Sequence, residues 1–160
     1  MTTDVELRDV VPEDLPILFE HQLDPEANRM AAFPARDRDA FMAHWEKILR
    51  NPAGTIKAIG FNGRLAGYVT AFQMSGETET QIGYWLGREH WGQGIATRAL
   101  AAFLQLVPVR PLFAHVAMHN IGSIRVLEKC GFKLYREQRE AVRGEEVDEF
   151  LMILELEEMQ

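Results

Sequence analysis

The stretch from Ile82 to Leu100 constrains the fold of this chain more than any other part of the sequence. It opens with apolar and aromatic residues, Ile82 to Leu86, which are typical of a buried or half-buried strand. Two glycines, Gly92 and Gly94, then lie one residue apart, and apolar residues recur after them at helical spacing. The first turn of a helix offers unpaired N–H groups and the positive end of its dipole, and glycines let the loop backbone approach a ligand closely. The stretch therefore predicts a strand, a phosphate-binding loop and a helix in succession.

Two common phosphate-binding glycine loops fit this stretch poorly. A mononucleotide P-loop ends in Gly-Lys-Ser/Thr, and no lysine follows Gly94. A dinucleotide-binding fingerprint needs a third glycine or an alanine where Thr97 stands, and a βαβ unit that opens the domain. A protein that binds nucleotide phosphates through the glycines alone stays open as one alternative function.

A second motif lies between Asn120 and Phe132 and predicts another helix. Asn120 is a favourable N-cap residue, Leu127 lies on the apolar face, and Gly131 suits the position after the helix end. Phe132 then begins the next strand. One apolar segment, residues 112–118, separates this helix from the glycine-loop helix.

Together the two motifs resemble those of the GNAT superfamily of acyl-CoA-dependent N-acyltransferases. The glycine loop matches the superfamily's Gln/Arg-x-x-Gly-x-Gly/Ala pattern at Gly94 and Ala96, with Trp91 in place of the usual Gln or Arg. The second helix matches the Asn-x-x-Ser/Ala…Gly-Phe pattern and follows in the superfamily's order. Trp91 and the preceding strand, Ile82 to Leu86, resemble the RimJ/RimL-like branch, which acetylates the N-termini of ribosomal proteins among other amines.

The hydrophobic patterns predict one domain over residues 1–160 with the element order β-α-α-β-β-β-α-β-α-β-β. The segment 24–36 contains two prolines and is predicted to be irregular, whereas Asn62-Gly63 between two apolar runs predicts a type I′ hairpin. A second hairpin is expected at Arg143-Gly144-Glu145. This order indicates an α/β (α+β) fold, a mixed sheet with helices on both faces. The resemblance implies the same order, with the strands before and after the glycine-loop helix running parallel and splaying apart.

The resemblance implies that acetyl-CoA is the co-substrate. Its pyrophosphate would lie on the glycine loop and the helix start, and its pantetheine arm would lie between the splayed strands. The backbone N–H of Leu86 would donate to the oxyanion of the tetrahedral intermediate. The cofactor-binding residues expected on this basis are Trp85, Leu86, Trp91, Gly92, Gln93, Gly94, Ile95, Ala96, Thr97, Asn120 and Ser123. For Trp91, packing of the loop against the sheet is the alternative, because an indole donates only one hydrogen bond.

The acceptor amine must be neutral to attack, because an ammonium has no lone pair. A lysine amine must lose its proton across roughly 3.4 pK units at pH 7, whereas an α-amine needs about 1 unit. A modest base therefore suffices for an N-terminal amine. Resemblance to RimL-type proteins implies that Glu140 is this base and that Ser123 is the acid that assists the thiolate. Many superfamily members instead have an acidic Tyr where Leu127 stands here.

Other assignments stay open for these roles. The Ser123 hydroxyl could instead hydrogen-bond to the backbone at the helix N-terminus. Glu140 could instead be an exposed strand residue paired with an arginine. Further candidates for the base are Glu79, Asp148, His115 and His119. The acceptor pocket is expected to include Met30 and Phe33, because family members build it from the first two helices, whereas Trp45 is assigned to core packing.

Composition and charge narrow the classes of function. The formal net charge of −7 argues against general nucleic-acid binding and weakly favours cationic acceptors. No apolar run reaches the roughly 20 residues of a membrane span, and the N-terminus lacks a leader pattern, so a cytoplasmic location without membrane association is expected. Cys130 is expected to pack as a small apolar residue, and no Cys/His cluster has the spacing of a metal site.

These observations predict an acetyl-CoA-dependent N-acetyltransferase that works by direct attack in a ternary complex. The acceptor is expected to be a protein or peptide N-terminus or a small amine, and the protein a monomer or a homodimer. A non-catalytic acyl-CoA-binding module on the same fold is the alternative, because Leu127 replaces the usual acid.

Overall fold

The computed structural model describes residues 5–73, 78–142 and 145–156. Within them the helices and strands follow the predicted order, with one helix added near the N-terminus. Short 3-10 turns lie at Pro12–Asp14 and Arg88–His90. The elements are β1 (Val5–Arg8), α1 (Leu15–Gln22), α2 (Pro25–Ala31), α3 (Arg38–Leu49), β2 (Thr55–Phe61), β3 (Arg64–Gln73), β4 (Thr80–Leu86), α4 (Ile95–Leu106), β5 (Leu112–Ala117), α5 (Ile121–Lys129), β6 (Lys133–Val142) and β7 (Glu145–Leu154).

In the part of the chain that the structure describes, the strands form one mixed sheet in the order β1-β2-β3-β4-β5-β7-β6. Only β4 and β5 run parallel, and their pairing is confined to Thr80 with Leu112 and Gln81 with Phe113. Beyond these pairs the two strands diverge, which leaves a gap in the middle of the sheet. The predicted mixed sheet, with splayed parallel strands around the glycine-loop helix, is confirmed.

Helices cover both faces of the sheet. On one face α4 and α5 pack over a core that includes Phe103, which is 0% exposed, and Leu100, which is 1% exposed. Each such side chain contributes roughly 1.5–3 kcal/mol through burial. On the opposite face α1 and α3 cover β2 and β3 through Phe19, Phe41 and Trp45. The predicted core role of Trp45 agrees with its 2% exposure.

The segment 24–36, predicted to be irregular, contains the added helix α2, so that prediction is wrong. Asp24 caps this helix by accepting a hydrogen bond from the N–H of Glu26, and Pro25 occupies its first turn. Proline fits that position because its fixed φ is already helical and its missing N–H has no helical partner there. The helix ends at Ala31, and Ala32 caps it in a left-handed conformation with φ of 53°.

The two hairpins differ in how far the structure describes them. Asn62 and Gly63 have φ of 51° and 80°, as a type I′ turn requires, so the predicted first hairpin is confirmed. Strands β6 and β7 pair from Lys133 with Ile153 to Val142 with Glu145. The predicted turn at 143–144 lies outside the described residues. No helix among the described ranges is long and apolar enough to span a bilayer.

Candidate active site

The gap between β4 and β5 is bordered by the backbone of β4. The N–H of Gly87 donates to the carbonyl of Ala66 at 2.8 Å, so the backbone groups of Gly87 point toward β3. Because these directions alternate along a strand, the groups of Trp85 also point toward β3, whereas those of Tyr84 and Leu86 point toward the gap. The Leu86 N–H therefore has the orientation that an oxyanion donor in the gap needs. Trp85 faces the site through its side chain.

The glycine loop leads directly into α4. Gly92 and Gly94 have φ of 74° and 77°, a left-handed conformation that favours glycine, and a Cβ at either residue would meet no atom within 4 Å. The first helical hydrogen bond runs from the Arg98 N–H to the Gly94 carbonyl at 3.1 Å. The N–H groups of residues 95–97 precede this bonding pattern, so they are available to an anion at the helix start.

Trp91 ties the glycine loop to the end of β4. Its indole N–H donates to the Leu86 carbonyl at 2.9 Å, and the residue is 38% exposed. This bond uses the single donor of the indole, which agrees with the packing alternative. The neighbouring Gln93 donates its amide to the Glu89 carbonyl at 3.1 Å, so its side chain also braces the loop. Ligand binding by both side chains stays a prediction.

A cavity of about 420 Å³ lies over the glycine loop, between α4 and α5. The predicted cofactor residues that line it are Trp85, Leu86, Trp91, Gly92, Gly94, Ile95, Ala96, Thr97, Asn120 and Ser123. Met30, predicted for the acceptor pocket, also lines this first cavity. Arg125 and Lys129 do so as well, and they bring positive charge that suits phosphates. Sequence reasoning missed both, although their i, i+4 spacing on the Ser123 helix places them on one face.

A second cavity, of about 580 Å³, opens from the gap toward the face that carries α1 and α2. Phe33, predicted for the acceptor, lines it, and its ring lies 6.5 Å from the Trp85 ring in an edge-on arrangement. Glu140, the predicted base, lines the same cavity. Both cavities share Ala31, Tyr84, Trp85, Asn120 and Ser123, so they meet in the gap.

A hydrogen-bonded cluster at the second cavity joins β5, β6 and β7. Glu149 Oε1 lies 2.7 Å from His115 Nδ1 and 2.8 Å from Gln138 Nε2. Burial alone would raise the pKa of Glu149, but the hydrogen bonds from His115 and Gln138 outweigh burial and lower it. An ionised Glu149 favours the tautomer in which His115 Nδ1 carries the proton, so the basic lone pair of the imidazole lies on Nε2.

Glu140 belongs to the same cluster. Ligand atoms of His115, Glu140 and Glu149 all lie within 4.8 Å of one another. Sequence reasoning missed Glu149, although alternation along β7 places it on the face of Val147 and Leu151. These three residues lie far apart in the sequence, so the spacing of residues along the chain did not predict that they would meet. The absence of a metal stays a prediction.

The remaining candidates for the base lie farther from the gap. Asp148 pairs with Arg139 at 2.9 Å and lines a third cavity beside the second one. His119 lines that third cavity too, and its Nε2 lies 2.6 Å from the Arg29 carbonyl. Glu79 is exposed and lines none of these three cavities.

The two hydroxyls at the junction of the cavities bond to each other. Tyr84 Oη lies 2.6 Å from Ser123 Oγ. Burial raises the pKa of Tyr84 to about 12, although the bond to Ser123 opposes this rise. The cap of α5 comes from Asn120, whose side-chain oxygen accepts from the Ser123 N–H at 3.3 Å. The Ser123 Oγ is therefore left to bond with the Tyr84 hydroxyl, and Leu127 is buried at 2% exposure one turn along α5.

Comparison with known proteins identifies this arrangement. A family model described as "Acetyltransferase (GNAT) domain" matches residues 4–133. "Probable N-acetyltransferase YjcK" of Bacillus subtilis (strain 168) is 43% identical over 76 residues, which cover 43% of this chain and 41% of that protein. The match thus spans less than half of the relative's length.

Solved structures share the fold at low sequence identity. A spermidine N-acetyltransferase from Vibrio cholerae, in complex with CoA and spermine, has a TM-score of 0.81 at 17% identity and covers 96% of each chain. The aminoglycoside acetyltransferase AAC(6')-Ib, in complex with coenzyme A, has a TM-score of 0.76 at 19% identity over 95% of each chain.

Proposed function

Because the chain belongs to the GNAT acetyltransferase family, and is therefore an acyltransferase, we propose that it transfers an acetyl group from acetyl-CoA to a primary amine. The amine attacks the thioester directly in a ternary complex, in the manner of the RimJ/RimL-like branch. One observation carries the proposal: two cavities meet at the splayed strands. Groups that can bind an anion line the first cavity, and groups that can accept a proton line the second. Donor and acceptor can thus approach from opposite faces of the sheet.

Acetyl-CoA occupies the first cavity in this proposal. The pyrophosphate accepts hydrogen bonds from the N–H groups of residues 95–97, and the left-handed glycines keep side chains away from it. Arg125 and Lys129 supply charge of the opposite sign. The pantetheine arm runs along the gap, where β4 presents the backbone groups of Tyr84 and the N–H of Leu86, whose carbonyl already accepts from the Trp91 indole.

The reaction develops negative charge on the carbonyl oxygen of the thioester. The Leu86 N–H stabilises that oxyanion, and a donor of this kind is worth roughly a hundredfold or more in kcat. Ser123 lies on the opposite side of the gap, where it assists departure of the CoA sulfur. The carbon–nitrogen bond forms and the carbon–sulfur bond breaks, with the electron pair leaving on sulfur.

The amine loses its proton to a group in the second cavity. Glu140 and His115 both line that cavity, so both are placed to receive the proton. His115 is oriented by the buried Glu149, which also stabilises the imidazolium that forms. The variants Glu140→Gln and His115→Gln separate the two candidates. Loss of the residue that acts as the base removes the acidic limb of the pH profile of kcat/KM, whereas loss of the other residue only shifts that limb. Glu137→Gln is the matched control, since Glu137 lies on β6 outside both cavities.

The acceptor is proposed to be a cationic amine, with a protein or peptide N-terminus and polyamines as the leading classes. Two carboxylates, Glu140 and Glu149, line the second cavity, and no Lys or Arg of the described residues does so. One structural neighbour is a spermidine N-acetyltransferase with bound spermine, and another is an aminoglycoside acetyltransferase. Spermidine, spermine and aminoglycosides are amines that carry several positive charges. A peptide with a free N-terminus, spermidine and an aminoglycoside, each compared with its acetylated form, separate these classes.

Calorimetric titration with acetyl-CoA tests the donor site first. Wild-type protein should bind saturably, and Gly94→Glu should not, because it adds a side chain and a negative charge at the helix start. Absence of binding by the wild type would refute the acetyltransferase proposal. Binding without CoA release with any amine would support the non-catalytic acyl-CoA module instead.

A further inference from the structure

The side chain of Tyr84 is a polar group of the gap to which the proposed chemistry above gives no role. It lies on β4, two residues before Leu86, and its hydroxyl lies 2.6 Å from Ser123 Oγ on α5. Both residues line both cavities, so the hydroxyl pair stands where the acyl group must pass from donor to acceptor. This pair bridges the sheet and the helix across the gap.

The hydrogen bond between the two hydroxyls has a preferred direction. The Tyr84 ring packs against the core under α4 and α5, and burial raises the pKa of its phenol to about 12, so the phenol stays protonated well above neutral pH. A phenol is a better donor than an aliphatic alcohol, so Tyr84 donates to Ser123 Oγ. The Ser123 hydrogen is then directed away from Tyr84 and toward another acceptor. The backbone cap of α5 does not compete for this oxygen, because Asn120 supplies it.

We propose that Tyr84 is a positioning residue that orients the Ser123 hydroxyl to donate a hydrogen bond to the CoA sulfur as it leaves. The inference rests on the proposed acetyl transfer. The amine proton goes to the base of the second cavity, the electron pair of the broken bond stays on sulfur, and the thiolate later takes a proton from solvent. Tyr84 keeps its own proton, because a thiol with a pKa near 8.5 is a stronger acid than this phenol.

This arrangement gives Leu127 a physical explanation. A buried leucine at the position of the family's usual acid cannot donate to sulfur. Ser123 can do so, once the Tyr84 hydroxyl on the opposite wall of the gap has oriented its hydrogen. Two elements far apart in sequence, β4 and α5, thus supply together a donor that a single tyrosine supplies elsewhere in the family.

Kinetic measurements test the relay. Tyr84→Phe removes only the hydroxyl, and it should lower kcat by about 10- to 100-fold, the worth of a hydrogen bond to a charged group, with little change in KM for acetyl-CoA. The Tyr84→Phe, Ser123→Ala double variant should be no slower than Ser123→Ala alone, because Tyr84 acts through Ser123. Tyr135→Phe is the control, since Tyr135 is 52% exposed and lies outside both cavities. An unchanged kcat in Tyr84→Phe, or additive losses in the double variant, would overturn the proposal.

A binding measurement keeps the test independent of turnover. The affinities of CoA and of desulfo-CoA, which carries hydrogen in place of the thiol, are compared by calorimetry between pH 6.5 and 9. A donor aimed at sulfur favours the thiolate, so the preference for CoA should rise with pH in the wild type and stay flat in Tyr84→Phe and Ser123→Ala. A flat preference in the wild type would refute the inference.

Other ionisable groups lie near the pair and also act on a thiolate. They are Cys130 directly after α5, His90, Arg125 and Lys129 of the first cavity, and His115, Glu140 and Glu149 of the second. Tyr84→Phe and Ser123→Ala retain all of these groups, so a pH-dependent preference that persists undiminished in both variants would come from them and overturn the inference. If the wild type shows the pH-dependent preference but acetylates no amine, the proposed function fails while the sulfur contact stands. If it binds neither ligand, both fail.

Discussion

Replacement of Gly94 by alanine separates backbone strain from ligand binding, because the chain carries a matched control. Gly94 and Gly63 have φ of 77° and 80°, and a Cβ at either residue would meet no atom within 4 Å. The left-handed conformation costs a residue other than glycine about 1–2 kcal/mol, and the lower entropy of the unfolded chain returns about 0.4–1 kcal/mol. Each variant should therefore lose roughly 0.5–1.5 kcal/mol of stability, which lowers Tm by about 1–6 °C in a chain of this size.

Of the two substituted glycines, Gly94 borders the proposed pyrophosphate site and Gly63 does not, so the two variants should differ in affinity for acetyl-CoA. A methyl group at the helix start displaces a phosphate oxygen from at least one N–H group. Loss of one charge-assisted hydrogen bond weakens binding by about 10- to 100-fold. Gly63→Ala, in the hairpin between β2 and β3, should bind acetyl-CoA as the wild type does.

Thermal unfolding and calorimetric titration, performed on both variants and the wild type, measure the two effects. Equal decreases in Tm together with a loss of affinity in Gly94→Ala alone support the phosphate cradle. Wild-type affinity in Gly94→Ala would show that the phosphates bind elsewhere. An equal loss of affinity in Gly63→Ala would show that reduced stability, and not the cradle, weakens binding.

Three further substitutions test the bonds that hold the site and the fold. Trp91→Phe removes the indole hydrogen bond to the Leu86 carbonyl. We expect kcat to fall roughly 3- to 10-fold, with less change in KM for acetyl-CoA. An unchanged kcat would show that this bond does not align the oxyanion donor. Asp14→Asn should cost about 1–3 kcal/mol in urea unfolding at pH 7, because Asp14 is 5% exposed and accepts two hydrogen bonds from Arg8. Since the bond from Arg8 lowers the pKa of Asp14 in the fold, this contribution is complete above the ordinary value of 3.8 and is lost as pH falls through the lowered pKa, so the two proteins should converge in acid. Trp45→Ala should cost about 3–5 kcal/mol, because Trp45 is 2% exposed, and a loss below 1 kcal/mol would contradict its core role.

Several features of the fold could be predicted because they depend on residues close together in the chain. The Asn62-Gly63 turn needs φ > 0 at both residues, and Asn and Gly adopt it at the lowest cost. The Asn120 cap depends on a side chain that reaches an N–H three residues later. The wrong prediction at α2 came from treating Pro25 as a breaker, although the first turn of a helix accepts proline.

The site was predicted only in part, for a related reason. Glu140 and Phe33 line the same cavity, whereas Met30 lines the first cavity and Asp148 pairs with Arg139, and the roles of these residues stay predictions. Arg125 and Lys129 were missed because their relevance depends on which side of α5 faces the glycine loop.

The sequence by itself determined the element order apart from α2, together with the first hairpin, the Asn120 cap and the glycine loop, since short-range backbone preferences decide these within a few residues. Only the tertiary structure decided which side chains meet. Strand β7 inserts between β5 and β6, and this order brings Glu149 to His115 across 34 positions of the chain. The splay of β4 from β5 likewise brings Tyr84 to Ser123. Neither contact has a local pattern, because each depends on how the whole sheet buries its two faces, and the chemistry of the site depends on both.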